Sequence, residues 1–164
     1  MILPFSTKIN GKPTYFVEKI HSGLLQNDLL QGFDLGLDHN FDLDKLCSCE
    51  PKLHTLRDDV NDRWHEEMMI DFFINVRTKK MFRFAPKIPV VSTQEVLMTY
   101  AHSDLIQISI DGRELFDYQE RLQFAINDGF DSWEDFFDYF YPKIKAAPKE
   151  VYTPKLIHWT DLRY

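Results

Sequence analysis

The segment Leu105 to Ile110 constrains the fold more than any other. Ile106, Ile108 and Ile110 alternate with Gln107 and Ser109. A period of two gives an extended chain one apolar face and one wetted face, so this strand belongs to a sheet covered on one side. Asp111-Gly112 follows as a turn signal. Other runs fit the same sheet. Met69 to Val76 is bulky and β-prone and reads as a central strand. Arg77-Thr78-Lys79-Lys80 makes a basic turn, and Met81 to Ala85 returns as the next strand of a hairpin. Ile2 to Phe5, Leu53 to Arg57, Lys87 to Thr99 and a closing stretch from Lys155 to Thr160 supply further strands.

Helical spacing appears near both ends. Pro13 opens a pattern in which Phe16, Ile20 and Leu24 share a stripe, with Val17 beside it. Glu18 and Lys19 then face solvent, and Gly23 falls where a helix would stop. Leu115, Tyr118, Leu122 and Ala125 form a second stripe, broken by Asn127-Asp128-Gly129. Ser132 begins a third, with Asp135 three residues on as an approximate capping box and Trp133, Phe136, Phe137 and Phe140 as its core face. Asp131, Glu134 and Asp135 crowd that helix start, where the dipole favours anions. After Pro142 the chain reads as polar and loose. About six strands, mostly sequential neighbours, with helices near each end predict an α+β fold: a small, largely antiparallel barrel with helices packed on it.

At 164 residues the chain predicts one domain, 1–164. The net charge of −7 excludes broad electrostatic binding to duplex DNA, which needs many cations facing phosphates. It leaves open recognition of a single base or nucleoside in a pocket. The 14 phenylalanines fall mostly at helical or alternating spacing, which assigns them to the core. No apolar stretch is long enough for a membrane span, and the first residues lack a signal-peptide pattern. Cys47 and Cys49 are too close to staple the fold usefully, so a reducing cytoplasm is expected. No Gly-rich phosphate loop, G-x-S-x-G or H-E-x-x-H occurs.

Residues 24–51 differ in character, with Gly32, Gly36 and scattered Asp and Asn interrupting Leu and Phe. They read as an ordered excursion with a short helix or two and a place where a protein partner would dock. Asp38 to Asp42 imitates the start of a calcium loop, but Leu43 and Cys49 stand where Gly and Glu are required. Cys47-Ser48-Cys49 with His39 or His54 lacks the paired spacing of a zinc site. No metal and no cofactor are expected.

The candidate site is Lys52-Leu53-His54-Thr55-Leu56-Arg57. In an extended chain Thr55 and Arg57 point to one face, and the stem of Lys52 can swing toward Thr55. An amine near a hydroxyl is the beginning of a nucleophilic site. Each residue also has a plain reading: Lys52 a solvated lysine, Thr55 a packing β-branched residue, Arg57 with Asp58 and Asp59 an exposed ion cluster, Asp128 a turn residue. His54, on the opposite face, reads as structural.

The motif, the preceding Lys19-Ile20-His21-Ser22-Gly23 and the later Asn127-Asp128-Gly129-Phe130-Asp131-Ser132 resemble, in that order, the ASCH-domain family. The K-x-x-T-x-R core of that family matches Lys52, Thr55 and Arg57. The resemblance covers most of the chain except 24–51, an insertion where the family normally has a residue or two. It implies a PUA-like β-barrel, a link to RNA recognition and, as in some small members, hydrolysis of N4-acetylcytidine by a Lys, a Thr and a Glu. Those roles fall on Lys52, Thr55 and Asp128, the last a carboxylate one methylene shorter than the family's Glu. On this resemblance Lys52 is the general base, Thr55 the nucleophile, Asp128 the group that protonates or orients the leaving amine, and Arg57 a substrate-binding residue. The alternative is a non-catalytic module for single-stranded or modified RNA, with Trp64 or Trp159 stacking on bases and Arg77, Lys79 and Lys80 contacting phosphates.

Overall fold

The computed structural model describes residues 1–31, 42–100 and 105–164. The expected calcium-loop mimic at 38–41, His39 and the glycines at 32 and 36 lie outside the described residues.

Strands form where alternation or β-branched runs predict them. β1 (Ile2–Phe5) pairs in parallel with β5 (Met69–Ile74), which also pairs antiparallel with β6 (Phe82–Arg83) and β7 (Ile88–Pro89). β5 is thus central to its sheet, as its bulky side chains require. β2 (Lys8–Ile9) and β3 (Lys12–Pro13) make a separate hairpin. A second sheet runs in the order β10 (Arg113–Glu114), β9 (Gln107–Ile110), β8 (Ser92–Thr99), β12 (Lys155–His158) and β4 (His54–Arg57), with β11 (Val151–Tyr152) also on β8. The fold is α+β, and among the described residues no ladder closes either sheet into a barrel.

Four helices complete the described chain: α1 (Phe16–Gln26), α2 (Leu43–Ser48), α3 (Tyr118–Asn127) and α4 (Trp133–Ala146). Among these residues no helix is long and apolar enough to cross a membrane.

The β4–β12 ladder divides two cores. On one face Leu56, Leu156, Val96, Met98 and the alternating isoleucines of β9 pack against Phe124 of α3 and Phe136 and Phe140 of α4. On the other, Ile157 and Trp159 pack with Phe5, Phe72 and Phe84 and with Ile20 and Leu24 of α1. Burial of this apolar surface is the main favourable term in folding.

Several local expectations are corrected. Pro13 belongs to β3, and α1 starts only at Phe16, after Tyr15 in the left-handed region at φ 51°. Gly23 does not stop α1. It sits inside the helix because a Cβ there would come within 2.7 Å of the Lys52 carbonyl oxygen. Glu18 and Lys19 are buried rather than solvated, since long side chains can find partners inward. Glu18 Oε1 accepts from the Asp42 amide at 3.3 Å, and Lys19 reaches toward α4. Tyr118 is exposed, so the buried face of α3 is Phe124, Ala125 and Asn127. α4 runs past Pro142 to Ala146. The Ser132 cap is as expected, with the Asp135 amide donating to its hydroxyl at 3.1 Å.

Candidate functional site

β4 is an edge strand, and the ends of two helices close its open side. The Lys52 amide donates to the Lys19 carbonyl of α1, and the Leu53 amide to the Asn127 carbonyl of α3, both at 2.9 Å. The edge amide of Leu56 donates to Asp128 Oδ1 at 3.1 Å. An exposed strand edge is thereby covered. This docking carries Asp128, which caps α3, onto Lys52 across 76 residues of sequence.

The Lys52 ammonium donates to Asp128 Oδ1 at 3.0 Å and also to the Asp128 backbone carbonyl. It lies 4.9 Å from the centre of the Phe16 ring and 6.0 Å from that of Phe5. Lys52 is 1% exposed. Gly129 follows at φ +94°, and a Cβ there would overlap Lys52 Cδ at 2.8 Å and Phe16 Cε1 at 2.9 Å. Glycine is therefore required twice, by its backbone angle and by this close approach.

Burial pulls the Lys52 amine down to about 8, partly opposed by the Asp128 charge. Burial alone would raise the Asp128 carboxyl. The Lys52 charge and the His54 contact outweigh it and hold the group below the usual carboxylate range. The pair is therefore an ammonium that gives up its proton readily beside a carboxylate that stays ionised.

His54 was expected to be structural, yet its ring faces the site. Nδ1 stands 3.6 Å from Asp128 Oδ1, too long for a hydrogen bond but close enough to feel the charge. Nε2 lies 2.8 Å from the Tyr164 hydroxyl. Asn127 Nδ2 donates to that same hydroxyl oxygen at 2.8 Å, while Asn127 Oδ1 accepts from Gln123. The Asp128 carboxylate facing Nδ1 favours the tautomer with its hydrogen there, which leaves Nε2 to accept from Tyr164. Burial keeps the ring neutral by lowering its pKa, partly opposed by Asp128. No sequence signal marks Tyr164, and Asn127 stands out there only as part of the Asn127-Asp128-Gly129 turn. Parity was the available signal for His54, because it shares a strand face with Leu56 and that face meets the end of α3.

Thr55 is buried opposite Ile157 of β12, on the other face of the strand. Among the described residues the Lys52 ammonium bonds only to Asp128, and no bond joins it to the Thr55 hydroxyl. Arg57 shares its face. The guanidinium sits 5.1 Å over the Phe5 ring and donates to the carbonyls of Leu56 at 3.0 Å and Pro4 at 2.8 Å. Its buried Nε has no partner among the described residues. The structure thus joins Lys52 to Asp128, adds His54, and leaves Thr55 and Arg57 on the neighbouring strand face.

The stacking residues of the binding alternative are corrected. Trp64 and Trp159 are both core residues, Trp159 packed edge-on against Phe5 and Phe72. An indole at i+2 from a buried isoleucine follows it into the core. Arg77, Lys79 and Lys80 are exposed as expected. Cys47 and Cys49 are free thiols on or just after α2. Among the described residues no cluster of three or more His, Cys, Asp or Glu side chains is placed to hold a metal.

Comparison with protein-family models, with curated proteins and with solved structures finds no match.

Proposed function

We propose that this chain is an ASCH-type amide hydrolase acting on an N-acylated nucleoside such as N4-acetylcytidine, with its two sheets as the halves of a PUA-like barrel. The observation that carries this reading is the buried Lys52–Asp128 pair, in which the amine is tuned to about 8. A desolvated lysine near neutrality is suited to general-base work.

In the proposed step Lys52, as free amine, takes the proton of the Thr55 hydroxyl. The oxygen attacks the acyl carbon, and the C–N bond breaks as the leaving amine takes the proton back from Lys52. Water then hydrolyses the acyl-threonine ester, with Lys52 again as base, releasing the carboxylate. Asp128 stays ionised and orients Lys52, so it is not the proton donor. Arg57 steadies the strand face on which Thr55 lies. Thr55 must come into reach of the amine when substrate enters, since catalytic hydrogen bonds often tighten only in the complex.

Purified protein incubated with N4-acetylcytidine is expected to release cytidine and acetate, and Thr55→Ala to lose on the order of a thousandfold in rate. Intact N4-acetylcytidine and an intact panel of other acylated nucleosides, in conditions where a known amidohydrolase cleaves them, would remove the reading. The non-catalytic RNA-binding alternative keeps the exposed Arg77, Lys79 and Lys80 for phosphates but has lost both indoles as stacking surfaces. Salt-sensitive RNA affinity that survives Thr55→Ala would favour it. A protein partner at 24–51 would meet α2, where Leu43 is exposed.

A further inference from the structure

Lys52 is sealed from solvent, so a hydrolytic site needs a way in. A small surface cleft lies between the β2–β3 hairpin and the start of α4. Phe16 and Gly129 form part of its wall, with Phe130 and Thr14 beside them. These same two residues are the ones that touch Lys52 on their other side, at distances that leave no room for a Cβ on Gly129. The wall between cleft and amine is therefore one phenyl ring and one glycine thick. Phe16 is only half-buried and is the first residue of α1, its ring edge-on to Phe5 at 6.2 Å. Displacing this one ring would take away the larger part of the wall between the cleft and Lys52.

The rim has a definite charge. Lys12 is its one cation and is already paired with Asp135 at 2.8 Å. Asp131 is held by Lys19 from below at 2.7 Å. Asp138 has no ion-pair partner among the described residues. With Lys12 and Lys19 each committed to one carboxylate, Asp138 leaves the rim with a net negative charge, which disfavours a phosphate and suits amino or hydroxyl donors, while Phe16 and Phe130 offer ring faces.

We infer that this cleft is the ligand site, that Phe16 is its gate to Lys52, and that it admits an uncharged, donor-bearing planar ring rather than a phosphate ester. The inference rests on the hydrolase reading for the identity of the amide.

The test follows backbone amide shifts by NMR in wild type and Thr55→Ala, titrated with N4-acetylcytidine and separately with its 5′-monophosphate. The nucleoside is expected to move the amides of Phe16, Gly129 and Phe130. The monophosphate should bind about tenfold more weakly, and Asp138→Asn should narrow that gap. In a parallel experiment, reductive methylation mapped by mass spectrometry should label Lys52 faster in Phe16→Ala than in wild type. Equal affinity for the two ligands, shifts confined to another surface, or unchanged Lys52 labelling would each overturn the inference. Cleft binding without turnover would support it and remove the hydrolase reading. Turnover with no response in the cleft would do the reverse.

Discussion

His54 and His158 are cross-strand partners with ring centres 5.4 Å apart, both fully buried on the same face of the β4–β12 ladder. Their surroundings differ. His54 is wired at Nε2 to Tyr164 and faces Asp128 with Nδ1. Among the described residues His158 has neither ring nitrogen in a hydrogen bond, and the hydroxyl of Ser92, its partner on β8, is likewise unpartnered. Burial holds both rings neutral, His158 at about 3, where His54 and Arg163 add to the lowering. Burial alone thus makes a silent histidine. A defined tautomer aimed at a carboxylate needs the further partners that only His54 has.

The largest way to break this contrast is Asp128→Ala. It strips Lys52 and the Leu56 edge amide of their shared acceptor and leaves an ammonium buried without a counter-charge. The expected loss of stability is about 3–5 kcal/mol, read by chemical denaturation. The double change Lys52→Met with Asp128→Leu should recover part of that loss, because it removes the uncompensated charge and leaves only the Leu56 amide and the residue-128 carbonyl without their side-chain partners. A loss under about 1 kcal/mol for Asp128→Ala would mean that the pair is not buried in solution.

Acid sharpens the contrast. Both histidines have folded pKa values below the unfolded value near 6.5, so the unfolded chain binds more protons and stability falls as pH drops below about 6.5. For His158 the fall continues to about 3. His158→Phe should reduce the slope by about 1.4 kcal/mol per pH unit in that window, measured as denaturation midpoint against pH. At pH 7 it should cost little, since it removes two unsatisfied nitrogens. Lys52 carries the same sign at the alkaline end, adding stability between about 8 and 10.5 as it loses its proton in the folded state first.

A kinetic measure is more selective. The rate of amide hydrolysis should rise with pH and level off above about 8, as Lys52 becomes a free amine. Asp128 raises the Lys52 pKa, so Asp128→Asn should move the inflection to lower pH while reducing the plateau. An inflection that moves upward would contradict the pairing.

The sequence made part of this site legible. Strand alternation located β4, and motif order linked Lys52 to Asp128. Alternation also placed His54 off the Thr55 face, but it could not say that the end of α3 waits there, because that contact spans 72 or more residues. Phe16 matched a core stripe with Ile20 and Leu24, and its role as cover for Lys52 depends on Gly129 from a distant turn. Lys19 read as solvated because periodicity reports where a Cβ points, not where a long stem ends. Trp159 lies two residues from Ile157, and that spacing puts its indole in the core and not on a stacking surface. The helix beyond Pro142 persisted because α4 packs Phe140 and Ile144 into the core on either side of the proline, outweighing one lost backbone bond.

The smallest expected effect tests the wiring most directly. Tyr164→Phe removes the donor to His54 Nε2 and the acceptor of Asn127, while keeping the ring that packs against Phe124 and both histidines. The expected cost is about 1 kcal/mol. Nitrogen chemical shifts of the imidazoles should report His54 as the Nδ1–H tautomer in wild type and as a mixture in the variant, with His158 unchanged. The activity inflection should shift by less than about one pH unit, since a neutral His54 touches Lys52 only through Asp128. If wild-type His54 carries its proton on Nε2, Tyr164 accepts rather than donates. His54 then offers Asp128 a lone pair instead of an N–H, and its difference from His158 reduces to packing and the bond with Tyr164.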